Sequence, residues 1–417
     1  MRDETDVLIV GAGPTGLALA TVLQQADIDH LLIDALDGPQ NTSRAAVVHP
    51  HTLEMLETIG VSEALSAKAI ATSRFTVRDR DHSLLSISFA ELPSPFQHML
   101  LVPQSTTEAV IEARLAELGG TVHRSAAACG ITVGATEAAV QVRTPEGERT
   151  IHARFVVGAD GMHSEVRKAA QITFDGEPYD ESFVLADVRM DWPVANQEVS
   201  LFFSPAGLVV VAPLPDGSYR IVATMDDAPE RSTIADIQAI LDARGPVAVP
   251  ARISSMVWTS RFRVHHRLAE TYRKGPLLLM GDAAHVHSPA GGQGMNAGLV
   301  DAVVLGEALV RVLRDGAPDS TLDDYASIRR PAAQAVLTLA SRLTGIATLR
   351  SPAARRMRNI ALRLLDRVPP FKRRLELALS GIARRPFSVL PAPIQADFGS
   401  SDIRQSESPT LRPAVVS

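Results

Sequence analysis

The chain has 417 residues, 46% of them hydrophobic and 21% charged, with a formal net charge of −6 at pH 7. This length exceeds a single hydrophobic core, so we expect two domains with additional elements. The charge balance gives no basic signature for nucleic acid, and no apolar run approaches the roughly 18 residues of a membrane-spanning helix. The one cysteine, Cys129, permits no intrachain disulfide, and the acidic N-terminus is unlike a signal peptide, so we expect a cytoplasmic protein.

The N-terminal stretch has the pattern of a dinucleotide-binding unit. The apolar strand Asp6–Val10 leads into the letters GAGPTG at 11–16, a helix follows, and the strand His30–Ile33 ends at Asp34. In this order the first glycine makes a tight turn, the second admits a pyrophosphate and the third lets the helix pack closely on the strand. The helix N-terminus then faces the phosphates, and Asp34 accepts hydrogen bonds from a ribose.

A second acid follows a strand further along the chain. The pattern predicts strands from Phe75 to Phe89, a helix at Thr106–Leu118, and a strand at Phe155–Val157 that leads to Asp160. A helix comes next, so Asp160 stands between the end of a strand and the start of a helix. Cys129 lies among small residues of a β-rich segment, where we expect it in the core.

Four β-rich runs, separated by Pro, Gly and Asp, predict the antiparallel sheet of a second domain that is inserted into the first. These runs are Phe183–Met190, Glu198–Phe203, Leu208–Ala212 and Tyr219–Met225. A helix at Ser232–Arg244 follows them, and the run Ile253–Arg263 returns the chain to the first domain.

The stretch Gly275–Val312 is the densest in candidate site residues. A short strand, Leu277–Met280, breaks at Asp282, and a loop rich in Gly and Pro precedes a helix that begins near Gly294–Asn296. Parallel α/β folds build binding sites from an acid at a strand end and a loop with free backbone N–H groups. Taken alone, the stretch is equally consistent with a glycine-rich turn that caps a buried helix.

The C-terminal part is predicted to be helical beyond Pro331, and Arg350–Arg385 holds eleven basic residues against two acidic ones. Two interpretations fit this composition. The segment is either an amphipathic element for a membrane surface or a partner, or a helix pair that packs on the body with a solvated basic face, which we favour. Residues from about Ala396 are polar and contain proline, which is typical of a disordered tail.

Three motifs together resemble the single-component flavoprotein aromatic hydroxylases, the family of para-hydroxybenzoate hydroxylase. They are GAGPTGLALA at Gly11–Ala20, GADGMHSEVR at Gly158–Arg167 and GDAAHVHSPAGGQGMN at Gly281–Asn296. The likeness covers nearly all of residues 5–345. It implies an α/β fold in which a Rossmann-type FAD-binding domain carries an inserted antiparallel β-sheet substrate domain and a helical C-terminus.

The resemblance also implies a division of the chain. Residues 1–72, 97–178 and 270–345 would form the FAD-binding domain, 73–96 and 179–269 the substrate domain, 346–395 the C-terminal helices and 396–417 the tail.

The same resemblance implies which residues contact FAD. Asp34, where the family usually has Glu, would take the adenosine ribose, and Asp282 the ribityl chain. The loop that ends at Asn296 would pass the isoalloxazine ring with its amides aimed at the pyrimidine edge, so Asn296→Asp should leave folding intact and lower the flavin potential. The full predicted set is Gly11, Gly13, Pro14, Thr15, Gly16, Asp34, Arg44, Gln104, Asp160, Asp282, Pro289, Gly292, Gly294, Met295 and Asn296.

The family's chemistry is reduction of FAD by NADPH or NADH, capture of O₂ as a flavin hydroperoxide, and oxygen transfer to an electron-rich ring. The chain has no second strand–GxGxxG–helix unit, so we expect the nicotinamide cofactor to bind transiently. The expected substrate is a small aromatic or polyketide-like molecule in contact with the inserted sheet, for instance with Phe202 or Val210, although core packing is the commoner role of such residues. We assign no catalytic base, because a lone histidine such as His98 or His265 is more often structural, and we predict no metal site.

Two rival functions have the same cofactor. A flavin halogenase would carry a paired-Trp motif, whereas Trp192 and Trp258 stand alone. A non-catalytic FAD-binding sensor would show no NAD(P)H turnover with any acceptor. The intact loop at Gly292–Asn296 favours an enzyme, while the choice of nicotinamide cofactor and the oligomeric state stay open.

Overall fold

The computed structural model describes residues 1–39, 45–134, 136–195, 197–225, 229, 231–289, 291–349 and 351–391, with the backbone alone at 177–181 and 262–265. The strands are β1 Glu4–Val10, β2 His30–Ile33, β3 Val47–Val48, β4 Ile70–Thr72, β5 Arg74–Asp79, β6 His82–Ser88, β7 Met99–Leu101, β8 Val122–His123, β9 Ala127–Val133, β10 Ala138–Thr144, β11 Gly147–Gly158, β12 Phe174–Asp191, β13 Glu198–Ser204, β14 Gly207–Pro213, β15 Tyr219–Thr224, β16 Arg252–Ala269, β17 Arg273–Lys274, β18 Leu277–Leu279 and β19 His285–Val286. The α-helices are α1 Pro14–Gln25, α2 Pro50–Glu57, α3 Ser62–Ser66, α4 Gln104–Glu117, α5 Glu165–Ala169, α6 Ile234–Arg244, α7 Gly294–Leu313, α8 Thr321–Ala347, α9 Pro352–Leu365 and α10 Pro369–Leu379. Two 3₁₀ turns occupy Gly281–Ala283 and Ile382–Ser388.

The first sheet has a parallel centre in the order β18-β11-β1-β2-β8. β17 adds an antiparallel edge, and the β9–β10 hairpin extends antiparallel from β11. Strands buried on both faces read as continuous apolar runs, and Leu8 and Ile9 of β1 are fully buried in the core shared with α1 and α7. The three predicted acids, Asp34, Asp160 and Asp282, follow the carboxyl ends of parallel strands of this sheet.

The second sheet has the order β19-β16-β12-β15-β14-β13-β5-β6, and its pairings are antiparallel except that β13 runs parallel to β5. The predicted β-rich runs form β12 to β15, so the expected α/β fold with an inserted, largely antiparallel sheet is confirmed. Side chains alternate across β13. Leu201 and Phe203 face a cluster that reaches the C-terminal helices, whereas Phe202 packs on the opposite face with Ile237 of α6.

The prediction for Cys129 was wrong, because this residue is exposed. It lies on β9, which pairs only with β10 among the described strands, and its side chain faces solvent while the neighbouring Ala128 packs against the core. A small residue on an edge strand carries no sequence signal that distinguishes its two faces.

The C-terminal helices α9 and α10 pack on β6 of the second sheet, as the preferred interpretation of a helix pair on the body predicts. The outer face of α9 is not the purely basic face expected, because Met357, Ile360 and Leu364 are exposed on it. Across the described ranges, no single helix is long and apolar enough to cross a membrane. α8 and α9 pass that test of length and composition only as a pair bent by 119°. The predicted tail from Ala396 lies outside the described residues.

Candidate active site

The turn between β1 and α1 has the geometry that phosphate binding requires. Gly11 has a φ of +105°, and an added Cβ would lie 2.4 Å from the Ala159 carbonyl oxygen. A Cβ on Gly16 would lie 1.9 Å from the Gly11 oxygen, so only glycine allows this helix–strand approach. A Cβ on Gly13, by contrast, would meet nothing within 4 Å. Gly13 therefore fronts open space at the N-terminus of α1, where a diphosphate can approach the backbone.

Asp34 is held at the end of β2 by the turn that it supports. Its Oδ2 accepts the N–H of Ala12 at 2.6 Å, and its Oδ1 accepts the N–H of Leu36 at 2.9 Å. A carboxylate offers about four lone-pair directions, so these two bonds fix its orientation and leave acceptor capacity for hydroxyl groups. The shorter side chain of Asp is accommodated because the carboxylate binds directly to the glycine turn.

Thr15 joins three elements at the floor of the site. A Cβ on Gly281 would lie 2.9 Å from the Thr15 hydroxyl oxygen, and one on Gly298 of α7 would lie 2.7 Å from it. The threonine side chain therefore requires glycine on both neighbouring elements. Asp282 lies on the 3₁₀ turn that starts at Gly281, is exposed, and lines the same cavity as Pro14.

The loop before α7 approaches this cavity through backbone. Gly291 and Gly292 have φ values of +90° and +62°, and α7 begins at Gly294. Pro289, Gly292, Gly294 and Met295 line the cavity. Free N–H groups at the start of a long helix favour an anionic ligand.

The side chain of Asn296 does not line this cavity. It is 3% exposed, and its Oδ1 accepts the N–H of His49 at 2.8 Å. Its Nδ2 donates to the carbonyl oxygens of Val47 at 2.9 Å and of Gly292 at 2.7 Å. Asn296 thus ties the loop to β3. Because Asn296→Asp removes two donors, these contacts lead us to predict a loss of stability in place of the intact folding expected from the sequence.

A buried ion network stabilises the motif Gly281–Asn296. Asp301 of α7 accepts from His285 Nε2 at 2.6 Å, from Arg329 Nε at 2.8 Å and from the N–H of Gly281 at 3.1 Å. Burial raises the pKa of Asp301, but the contacts with His285 and Arg329 outweigh this and hold it below its usual value. The network fixes the start of the turn that carries Asp282.

Asp160 uses its carboxylate within its own motif. Its Oδ2 accepts the N–H groups of Glu165 at 2.7 Å and Val166 at 3.3 Å, which caps α5, and burial raises its pKa. The sequence analysis missed Arg167, which donates to Ala283 O at 2.8 Å and to Met162 O at 2.7 Å. Arg167 therefore links the motif Gly158–Arg167 to the motif Gly281–Asn296.

The glutamine and arginine predicted near the flavin have different outcomes. Gln104 begins α4, lines the cavity, and accepts the N–H of Ala45 at 3.3 Å. Arg44 lies outside the described residues. The neighbouring Ala45 also accepts from Arg220 at 2.8 Å, and Arg220 forms a buried pair with Asp187 at 2.7 Å. Arg220 had no motif around it in the sequence, because its partners lie on other elements.

Residues of α10 and of the turn after it contact the loop before α7, which the sequence analysis did not predict. Gln293 donates to Leu379 O of α10 at 2.9 Å, and Arg384 donates to Gln293 Oε1 at 2.5 Å. His49, beside them, contacts the carbonyl oxygen of Gly291 at 2.9 Å. Burial lowers the pKa of His49 to about 4 and that of Arg384 to about 10. The loop before α7 is thus fixed by contacts with His49, which precedes α2, and with Leu379 and Arg384 at α10 and after it.

His287 is a second histidine on this side of the cavity, half-buried and on the cavity lining. Its Nδ1 donates to Ser288 O at 2.8 Å, so a neutral ring presents Nε2 as an acceptor. Burial lowers its pKa to about 4. Within the described residues, Nε2 has no hydrogen-bond partner, and it lies 3.8 Å from where a Cβ of Gly294 would stand.

One cavity of about 1090 Å³ connects the phosphate-binding turn to the second sheet. Its far wall is apolar and comes from strands β5, β6 and β12 to β15 and from the C-terminal helices, including Phe75, Leu201, Phe203, Val210, Leu362 and Phe371. Val210 therefore lines the cavity, whereas Phe202 is core. His98 is not on the described lining, and the side chain of His265 lies outside the described residues. No cluster of three or more metal-ligating side chains occurs in the described ranges.

Comparison with known proteins identifies the family. The FAD binding domain family matches residues 4–340. The 6-methylpretetramide 4-monooxygenase of Streptomyces rimosus is 35% identical over 91% of this chain and 70% of its own length. The p-nitrophenol 4-monooxygenase of Pseudomonas putida superposes with a TM-score of 0.84 at 25% identity, covering 91% of this chain and 99% of that one. The anhydrotetracycline hydroxylase of Streptomyces rimosus has a TM-score of 0.76 at 32% identity over 91% of this chain and 76% of that one.

The chain therefore belongs to the FAD binding domain family. Within it, the protein is an FAD-dependent monooxygenase of the aromatic hydroxylase type. This result agrees with the main functional prediction and not with the halogenase or sensor alternatives.

Proposed function

We propose that this monooxygenase hydroxylates an electron-rich aromatic substrate, either a phenol or a polyketide-like molecule, which lies between the apolar wall and the loop Gly291–Met295. The observation that carries the proposal is the wall itself, which faces the loop across one continuous cavity. A flat, mainly apolar ligand gains burial there. The names of the similar proteins support both alternatives: a p-nitrophenol monooxygenase supports a phenol, and a pretetramide monooxygenase supports a larger, polyketide-like molecule.

The charges around the cavity favour a phenol that can ionise. Arg261, Arg342 and Arg374 are on its lining, together with Arg220, whose charge is paired with Asp187, and Asp282 is the one acid among the described lining residues. Positive charge lowers the pKa of a nearby phenol, and a phenolate ring is richer in electrons. A cationic substrate would have no partner carboxylate on the second sheet's side of the described lining.

The predicted cofactor residues fit FAD, on the evidence of the glycine turn, the oriented carboxylate of Asp34 and the backbone of the Gly292–Met295 loop. Bound FAD, reduced by NADPH or NADH, supplies the activation of O₂. The protein's share is positioning: the turn at Gly13 receives the diphosphate and the N-terminus of α7 stabilises negative charge on the flavin. His287 Nε2 is an acceptor for a proton-bearing group at that end, and α10 excludes water from the wall.

The domain division stays part of this proposal. Residues 73–96 and 179–269 supply β5, β6 and β12 to β15, which support their assignment as the substrate domain. We also propose a cytoplasmic location, supported by the free, exposed thiol of Cys129.

The test is a screen of phenols, naphthols and tetracyclic aromatics for stimulated oxidation of NADPH and NADH by the FAD-loaded protein. The expected result is faster oxidation with one group of compounds, with one oxygen atom from labelled O₂ in the product. Val210→Trp should block large substrates first, while the core change Phe202→Leu serves as a matched control. Stimulation by no aromatic compound, with FAD bound, would refute the proposal.

A further inference from the structure

Helix α9 turns two polar side chains, Arg358 and Asn359, towards the protein. Arg358 is buried, donates to the carbonyl oxygens of Ile346 at 3.1 Å and Ala347 at 3.3 Å, and lies 4.6 Å from the ring centre of Phe203. Asn359 donates to Asp79 of β5 at 2.6 Å. An ordinary surface helix places such residues in water and its apolar stripe on the core.

Three large apolar side chains of α9 point the other way, whereas Leu362 packs inward. Met357, Ile360 and Leu364 are 71%, 59% and 58% exposed, and Val368, just after the helix, is 41% exposed. Their spacing of three and four residues places them along one stripe. Scattered exposed apolar residues need no explanation, but a continuous stripe of large ones marks an interaction surface.

Arginines run along the edge of this stripe. Arg356, Arg363 and Arg367 are exposed at positions that lie beside Ile360 and Leu364 on the helix. Asp366, the acid that caps the C-terminal end of α9, lies on the other side, where it accepts from the N–H of Ser86 at 2.9 Å. The outer face of α9, from Arg356 to Val368, therefore combines three positive charges with an apolar ridge and carries no exposed acid among its described residues.

We propose that the outer face of α9 binds a lipid surface with anionic headgroups. Apolar side chains of an interfacial helix enter the boundary of the acyl chains, while flanking arginines hold the phosphate groups. A second copy of the chain is a poorer occupant, because the described residues of this face include no exposed acid that could pair with the arginines of a two-fold mate. Charge complementarity thus selects the lipid surface.

The opposite side of the same helix reaches the cavity. Leu362 lines the apolar wall, and Phe371 of the next helix joins it there. One helix then separates the lipid surface from the substrate side of the cavity. This inference is independent of the substrate proposed above, because it concerns the outer face alone.

The experiment is co-sedimentation of the full-length, FAD-loaded protein with two kinds of vesicle, phosphatidylcholine alone and phosphatidylcholine mixed with phosphatidylglycerol. We expect binding to the mixed vesicles that high salt weakens, and little binding to the neutral ones. The double variants Ile360→Ser with Leu364→Ser, and Arg363→Gln with Arg367→Gln, should each lower the partition coefficient by roughly tenfold or more. Flavin absorbance confirms that each variant is folded.

A matched control removes exposed valines elsewhere. Val247 and Val249 are 56% and 62% exposed on the second domain, and their change to serine should leave vesicle binding unaltered. Equal recovery of wild type in the supernatant with both vesicles would overturn the proposal. Vesicle binding that both α9 double variants retain would also overturn it. A third refuting result is a dimer in sedimentation velocity that dissociates in the Ile360→Ser, Leu364→Ser variant, while the wild type binds no vesicles.

Discussion

Replacing Asn296 by aspartate tests whether this residue is a structural clamp. The change keeps the acceptor for the N–H of His49 but removes both donors, so the carbonyl oxygens of Val47 and Gly292 face a carboxylate. A buried polar group that loses its partner costs about 1–3 kcal/mol, so two such groups predict a loss of about 2–6 kcal/mol in the free energy of unfolding. In a domain of this size, the lower bound corresponds to a melting temperature lower by at least about 4 °C.

The assay is thermal unfolding of the flavin-free protein, so that cofactor binding does not add to the stability that is measured. It is repeated at several pH values. Burial raises the pKa of the introduced carboxyl, and a raised pKa means that stability is retained at low pH and lost as the pH rises through the folded-state value. The gap between Asn296→Asp and wild type should therefore widen from acid to neutral pH.

Asn296→Ala is the matched control, because it removes the same donors without adding a charge. Its deficit should show no such pH dependence. If Asn296→Asp melts within a degree or so of wild type and changes only the flavin potential, the clamp is wrong. The residue would then act on the cofactor, as the sequence alone suggested.

Three further predictions follow from the site. Asp282→Ala should weaken FAD binding by about 10–150-fold, which is the equivalent of one hydrogen bond to a charged group. The free energy of unfolding should stay within about 0.5 kcal/mol of wild type, because the residue is exposed. An unchanged dissociation constant in a fluorescence titration would contradict the assignment. Asp301→Asn leaves the buried guanidinium of Arg329 without its counter-charge, and urea unfolding should show a loss of about 3–5 kcal/mol. His49 and His287 have pKa values of about 4, below their ordinary value of 6.5, so they take up protons on unfolding, and stability should fall as the pH drops from about 6.5 towards 4. His287→Gln should flatten that slope, and an unaltered slope would count against the lowered pKa.

The parts of the site that the sequence predicted are local in the chain. Gly16 is required by its contact with the Gly11 oxygen inside one strand–turn–helix unit, so the spacing of these two glycines is visible in the local sequence, although Gly11 also meets Ala159 after β11. Asp34 follows the same strand pair, and its bond to Ala12 is a short-range consequence of that unit. The strand His30–Ile33 has the predicted bounds, because an acid and an apolar run define both ends.

The parts that the sequence did not predict depend on distant partners. Asn296 is fixed by Val47 and His49, whose backbone reaches it only after the chain has folded. The choice between Leu201 and Phe202 as a cavity residue depends on one step of strand parity, and adjacent apolar residues do not reveal it. Helix α9 shows the same problem, since its periodicity defines a stripe but not which side meets the body.

The hydrogen bonds of Gln293 with Leu379 and Arg384 affect the order in which the chain folds during synthesis. Arg329 adds to it by donating to Phe387 O at 2.8 Å. These carbonyl and guanidinium groups leave the ribosome after both sheets have emerged, since domains fold from the N-terminal end during synthesis. The loop before α7 therefore reaches its final shape only after Leu379 and Arg384 have emerged, which is later than the emergence of both sheets. An affinity tag or fusion partner joined shortly after Leu390 would act on that final step before it affected either sheet.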